Sequence, residues 1–199
     1  MELAEVLRRR RMVRSFAARP VDDEVLDELL EAARRSPSAG NSQGLDLVVL
    51  RGHETARYWD VTLPGARRAA FGWPGLLRAP VLVVVVTDPA AYVARYAEAD
   101  KASTGLGSGA DRWPVPYWFV DAGAAIENLL LAAADAGLGA CLFGPFGHEE
   151  AVRQALGIPG GRRLVATIAV GHADGGDERG RSAGRRRRTL DEVVHRGGW

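Results

Sequence analysis

The chain has 199 residues, 47% of them hydrophobic, which suits one well-cored globular domain and is too apolar for a disordered chain. Its 26 basic and 25 acidic residues leave a formal net charge of +1, excluding a general attraction to nucleic acid or anionic membrane, so any basic site has to be local. One cysteine, Cys141, and four histidines exclude an intrachain disulfide and a cysteine-rich metal centre.

In chain order, Leu3, Val6 and Leu7 share a helical face and predict a short amphipathic helix that gives way to a loop within "RRRRMVRSF", Arg8 to Phe16. The opening "MELAEVLRRRR" has no apolar core of the kind a secretory signal needs, and a cytoplasmic location is expected. "VDDEVLDELLEAARRSP" is the clearest helix: Asp22 is expected to cap it, Arg34 and Arg35 meet its negative end, and Pro37 stops it. "LDLVVLR", Leu45 to Arg51, reads as a strand, and "PVLVVVVT", Pro80 to Thr87, as a strand buried on both faces. Between them, Pro64, Gly65, Gly72, Pro74 and Gly75 make segment 53–79 a short helix with an irregular excursion.

A helix from about Pro89 to Lys101 is expected next, followed by a long loop over 102–116, "ASTGLGSGADRWPVP", of the kind that often serves function. From Tyr117, "YWFVDAGAAIENLLLAAADAGLG" is apolar nearly all the way round and predicts a central buried helix ended by Gly137 and Gly139. "ACLF" reads as a short strand, His148 to Leu156 as a helix closed by Gly157, and "RLVATIAVG" as a last core strand. Alternating strands and helices alone suggest a parallel α/β sheet.

Two apparent motifs fail on context. "GLGSGA" matches a dinucleotide fingerprint as a string, but no strand precedes it and "DRWPVP" follows. "GRSAG" matches a serine nucleophile elbow, but it stands between "DGGDER" and "RRRR".

Three distant segments share one chemistry. "RRRMVR" offers the guanidinium groups of Arg10, Arg11 and Arg14. "SPSAGNSQ", Ser36 to Gln43, is a tight turn of small residues that can bring backbone donors to a ligand. Arg185 to Arg188 form a third cluster. Planar guanidinium forks from both ends of the chain, if they converged, would suit a phosphate. Taken singly, the first cluster reads as a solvated helix face and the last as a disordered basic tail.

In this order, "RRRRMVRSF", "SPSAGNSQ", "DAGAAIENLLLAAADAGLGACLFG", "VATIAVGHA" and "RRRRTLDEVVH" resemble the FMN-dependent nitroreductase-like flavoproteins along nearly the whole chain. The resemblance implies an α+β fold, a mixed and mainly antiparallel sheet wrapped by helices, in a homodimer with FMN at the interface. That implication displaces the parallel arrangement. It implies a single domain, 1–199, with 102–116 as an active-site loop and 172–199 as a C-terminal extension reaching the cofactor site or the partner.

Residue by residue, the resemblance implies phosphate and ribityl contacts from Arg10, Arg11 and Arg14, although Met12 stands where the family often has serine. It implies a turn, Pro37, Ser38, Ala39, Gly40 and Gln43, that meets the flavin of the partner subunit. Leu142, Phe143 and Gly144 would lie against the flavin ring, with the Gly144 N–H approaching N5, a role Pro145 lacks the donor for. Arg185 and Arg187 would complete the phosphate site, with Arg186 and Arg188 as the alternative register. Trp113, Tyr117 and Trp118 either pack the core or line the substrate pocket.

The implied activity passes electrons from NADH or NADPH to a small aromatic, quinone or nitro acceptor by ping-pong flavin cycling. The cofactor carries the chemistry, so no catalytic side chain and no metal is assigned. No nucleic acid or membrane partner is expected. Flavin binding without turnover and, further off, a nucleic-acid adaptor using the arginine clusters remain as alternatives.

Overall fold

The computed structural model describes residues 1–176 and 180–199. Residues 177–179 of the expected C-terminal extension and the Ser182 side chain of the rejected elbow motif lie outside the described residues. Strands β1 (Leu45–Arg51), β2 (Val81–Thr87), β3 (Gly139–Phe143) and β4 (Arg163–Gly171) form one sheet in the spatial order β1-β2-β4-β3, each neighbouring pair antiparallel. Outside these strands the described residues add one parallel bridge, Met12 to Ala140, and one antiparallel bridge, Phe16 to Ala173.

The parallel arrangement fails for a local reason. The excursion after β1 holds α3 (Ala56–Thr62) and α4 (Ala66–Ala69), then closes where it began, with Gly52 N–H donating to the Pro80 carbonyl at 2.9 Å. Arg51 pairs with Val81, so the segment is a long hairpin loop and not a crossover. Its return is tight: a Cβ at Gly75 would fall 2.3 Å from Ser15 Oγ and 2.7 Å from Ser15 Cα, so only glycine fits there.

The all-valine centre of β2 is buried at every position because both sheet faces are covered. Val81, Val83 and Val85 face α2 (Asp23–Arg34) and α6 (Tyr117–Asp135), while Leu82, Val84 and Val86 face α3 and α7 (Glu149–Leu156). The remaining helices are α1 (Leu3–Arg9) and α5 (Pro89–Tyr96).

Helix α5 is shorter than the expected span to Lys101. Arg95 turns its guanidinium to Asp100, donating to both carboxylate oxygens at 2.8 Å, and to the Gly40 carbonyl, while the Lys101 and Ala102 N–H groups fold back on Glu98. Asp22 occupies the cap position of α2 but makes no side-chain cap bond; its neighbour Asp23 pairs instead with Arg51.

Helix α6 is the central helix the sequence predicts. Ala122, Ala125, Leu129, Leu130 and Ala133 are buried, the three alanines admitting close approach to α2 and the sheet. Gly137, at φ +74°, ends it, with Leu138 N–H returning to the Ala133 carbonyl. One stripe stays open in the single chain: Tyr117 and Val120 are exposed, and a Cβ on Gly123 would meet nothing.

Leu129, 1% exposed in the main core, tests this packing. Leu129→Ala should cost about 3 kcal/mol in a denaturant titration, whereas Val120→Ala on the open stripe should change stability by no more than about 0.5 kcal/mol in the monomer.

Candidate functional site

Residues 10–16 form an extended segment laid along the free edge of β3. Val13 N–H donates to the Ala140 carbonyl at 2.9 Å, Leu142 N–H points to Met12 Sδ at 3.3 Å, and Phe16, fully buried, donates its N–H to the Gly75 carbonyl. The bare Gly139 makes room, since a Cβ there would sit 2.9 Å from Val13 Cβ. This seating fixes where the arginines go.

Arg10 and Arg11, with Arg9, line a cavity of about 220 Å³ whose other walls are Leu130 and Ala134 of α6 and the backbone of Gly137–Ala140. Arg10 Nε is shielded from water and faces Glu127 Oε1 at 3.4 Å without forming a hydrogen bond, so a donor remains to be satisfied. On the other side of β3, Arg14 lines a cavity of about 400 Å³ together with Leu142, Phe143 and Gly144. That cavity is walled by Tyr58, Trp59, Phe71 and Trp73; the Trp59 and Phe143 rings stack at 5.6 Å, and the Arg14 guanidinium lies 5.2 Å from the Trp73 ring centroid. Of the head arginines, Arg14 thus shares an aromatic pocket with the end of β3, while Arg10 and Arg11 line a charged pocket beside its start.

The Pro37–Gln43 turn lies elsewhere in the chain. Ala39 lines a separate cavity, about 480 Å³, with Tyr96, Trp113, Val115 and Tyr117. Asp121, at the start of α6, accepts the Ala39 N–H and the Tyr92 hydroxyl, each at 2.8 Å, and Ser38 Oγ accepts the Gln43 N–H at 3.0 Å. Gly40, Asn41 and Gln43 all carry positive φ, of 60°, 58° and 51°. Two of these are not glycine, which is stored strain of the kind found where backbone groups are presented to a ligand. Trp113 and Trp118 are buried with Tyr92 in an aromatic cluster; Trp113 still forms one wall of the cavity, Trp118 lines none of these three cavities, and Tyr117 is exposed.

The tail leaves β4 beside the head segment. Ala173 pairs with Phe16 and lines the arginine cavity, and a Cβ at Gly180 would fall 3.3 Å from Arg14 Nη1. Asp174 clamps this departure by accepting from Gly176 N–H, Ser15 Oγ–H and the Arg78 guanidinium, and these donors, in that order, hold its carboxyl below the usual range. Farther on, Arg186 pairs with Glu192 at 2.6 Å and Arg188 donates to the Glu192 carbonyl, while Arg185 and Arg187 are exposed and make no ion pair among the described residues.

The nitroreductase family model matches residues 7–172, most of the chain. The chain belongs to the nitroreductase family. A 4-nitrobenzoate reductase of Nocardioides sp. is 33% identical, covering 85% of this chain and 79% of its own. An NADH dehydrogenase of Thermus thermophilus is 30% identical, covering 82% and 83%. A Desulfovibrio desulfuricans protein solved in complex with FMN superposes with a TM-score of 0.68 at 25% identity, over 98% of this chain and 95% of that one. The nitroreductase-like α+β fold therefore holds for this chain.

Sequence reasoning passed over Asp121, Glu127, Asp174 and Trp73. A signal existed for the first two, because carboxylates inside the otherwise apolar "DAGAAIENLLL" need partners to be buried there. Trp73 and Asp174 meet Arg14 and Arg78 only through tertiary contact, which no local pattern reveals.

Burial, and then the Asp121 carboxylate, push the Tyr92 phenol above its usual range. Stability from this neutral phenol is complete below the unfolded value of about 10 and is lost as pH rises beyond it. Thermal midpoints measured from pH 8 to 11.5 should therefore fall at the alkaline end, and Tyr92→Phe should flatten that fall while lowering the midpoint at pH 8.

Proposed function

We propose that this nitroreductase family member holds FMN beside β3 and passes electrons from NADH or NADPH to a small nitroaromatic or quinone acceptor. The observation that carries the reading is the coincidence, along one strand, of a pocket lined by Arg9, Arg10 and Arg11 and an aromatic pocket of about 400 Å³. The first suits a phosphate. The second has the size and apolar lining of a ligand site for a flat ring.

When bound, FMN supplies two-electron chemistry, taking a hydride from the nicotinamide and giving the electrons to the acceptor in a separate ping-pong half-reaction. Arg10 and Arg11 would hold the phosphate, and the Arg14 guanidinium would balance negative charge near the ring. The Gly144 N–H would donate towards the ring, while Trp59 and Phe143 exclude water from the pocket floor. Arg185 and Arg187 are the tail residues in the better position to join them, because Arg186 and Arg188 already serve Glu192.

We place the Pro37–Gln43 turn and the wall formed by Trp113 and Tyr117 at the same flavin through a homodimer. Within one protomer the turn lines a different cavity, and the open stripe of Tyr117 and Val120 on α6 supplies an apolar face for a second copy.

The purified protein should carry bound flavin and run at twice the chain mass in sedimentation. Arg10→Ala combined with Arg187→Ala removes charge-assisted bonds worth about 1.5–3 kcal/mol each, so the FMN Kd should rise roughly 100-fold or more, read by recovery of flavin fluorescence. An unchanged Kd would refute the phosphate assignment.

A further inference from the structure

The aromatic cavity carries a side chain that neither folding nor the cofactor reading accounts for. Phe146 is 85% exposed, so its ring adds almost nothing to the core, and its backbone sits at φ +40°, a conformation that disfavours any residue but glycine. A chain selected for stability alone would favour glycine at this φ.

The backbone that carries the ring is nevertheless held in a defined place. Pro145 fixes the preceding φ at −72°, and the turn is closed by the His148 N–H donating to the Pro145 carbonyl at 2.9 Å. The strained residue thereby swings its ring back over the end of β3, where it forms part of the wall of the 400 Å³ cavity. A Cβ at Gly144 would lie only 3.3 Å from Phe146 Cε1, so the absent side chain of Gly144 is what lets the ring approach this close. Strain, exposure and a fixed backbone at a cavity wall together mark a residue kept for contact with something outside its own chain.

We infer that Phe146 is a specificity-determining residue: its ring forms the outer wall against which a planar aromatic acceptor stacks at the end of β3. This rests on the reading of Leu142–Gly144 as the strand end that faces the flavin ring. Edge or offset contact with a flat acceptor favours aromatic substrates over non-planar oxidants, which have no face to present.

The test uses the FMN-loaded protein with NADH as reductant, nitrobenzene and ferricyanide as acceptors, and benzoate as a non-reacting aromatic probe of the oxidised protein. In Phe146→Ala and Phe146→Gly the kcat/KM for nitrobenzene relative to ferricyanide should fall about three- to tenfold, the worth of one aromatic contact. Benzoate binding, followed by perturbation of the flavin spectrum, should weaken by a similar factor, and Phe146→Tyr should restore both. Because the glycine variant relieves the positive φ, its thermal midpoint should equal or exceed that of the parent. Unchanged nitrobenzene selectivity and benzoate affinity would overturn the inference, as would a lower midpoint with loss of the dimer, which would make the ring a subunit contact. If the parent protein reduces neither acceptor, the oxidoreductase reading fails, and benzoate affinity still decides the role of the ring.

Discussion

The seating of residues 10–16 along the edge of β3 is the constraint on which the site depends. One short segment buries Val13 and Phe16, spends its backbone on Ala140 and Gly75, and so aims its arginines to either side of the strand. The apolar residues anchor and the charged ones are presented. That division bears on why a nearly neutral protein gathers so much positive charge near one end: Arg8 stays on the solvated face of α1 with Glu5, while the half-buried Arg10 and Arg14 form walls of two pockets on an anchored strand-like run.

Helix α6 organises the other half. It is apolar enough to sit in the core, yet it places Asp121 against the Ala39 turn and Tyr92, and Glu127 against Arg10. Six residues separate the two carboxylates, about 9 Å along the axis, so one rigid rod sets the positions of both the strained turn and the arginine pocket. Carboxylates partly withdrawn from water are tolerated because each meets donors or a cation. The same rod leaves Tyr117 and Val120 uncovered, the face on which we propose a second copy.

Much of this was legible in the residues. The limits of β1 and β4 follow from short, mainly apolar, β-branched runs between turn residues, and α6 follows from an apolar pattern that continues around the helix. The antiparallel order did not follow from pattern, because a hairpin with a long helical excursion and a crossover look alike until the closing bond between Gly52 and Pro80 is seen. Helix α5 ends early since Arg95 prefers Asp100 and Gly40 to another helical turn, a choice made by tertiary partners. Arg14 shares a cavity with Leu142, Phe143 and Gly144, and Arg10 and Arg11 line a second one, whereas Ala39 of the turn and the aromatic residues Trp113 and Tyr117 gather at a third cavity of the same chain. No local pattern distinguishes a residue that serves its own pocket from one that serves a neighbour's.

Positive φ values at Asn41, Gln43 and Phe146 fall at the turn and at the mouth of the aromatic cavity, so strain is concentrated where ligand contact is proposed. The direct measurement is a crystal structure of the protein loaded with FMN. The account predicts phosphate density within hydrogen-bond reach of Arg10 or Arg11, with the flavin ring lying along Leu142–Gly144 beside Arg14. A phosphate remote from all three head arginines, or a ring seated away from the end of β3, would contradict it.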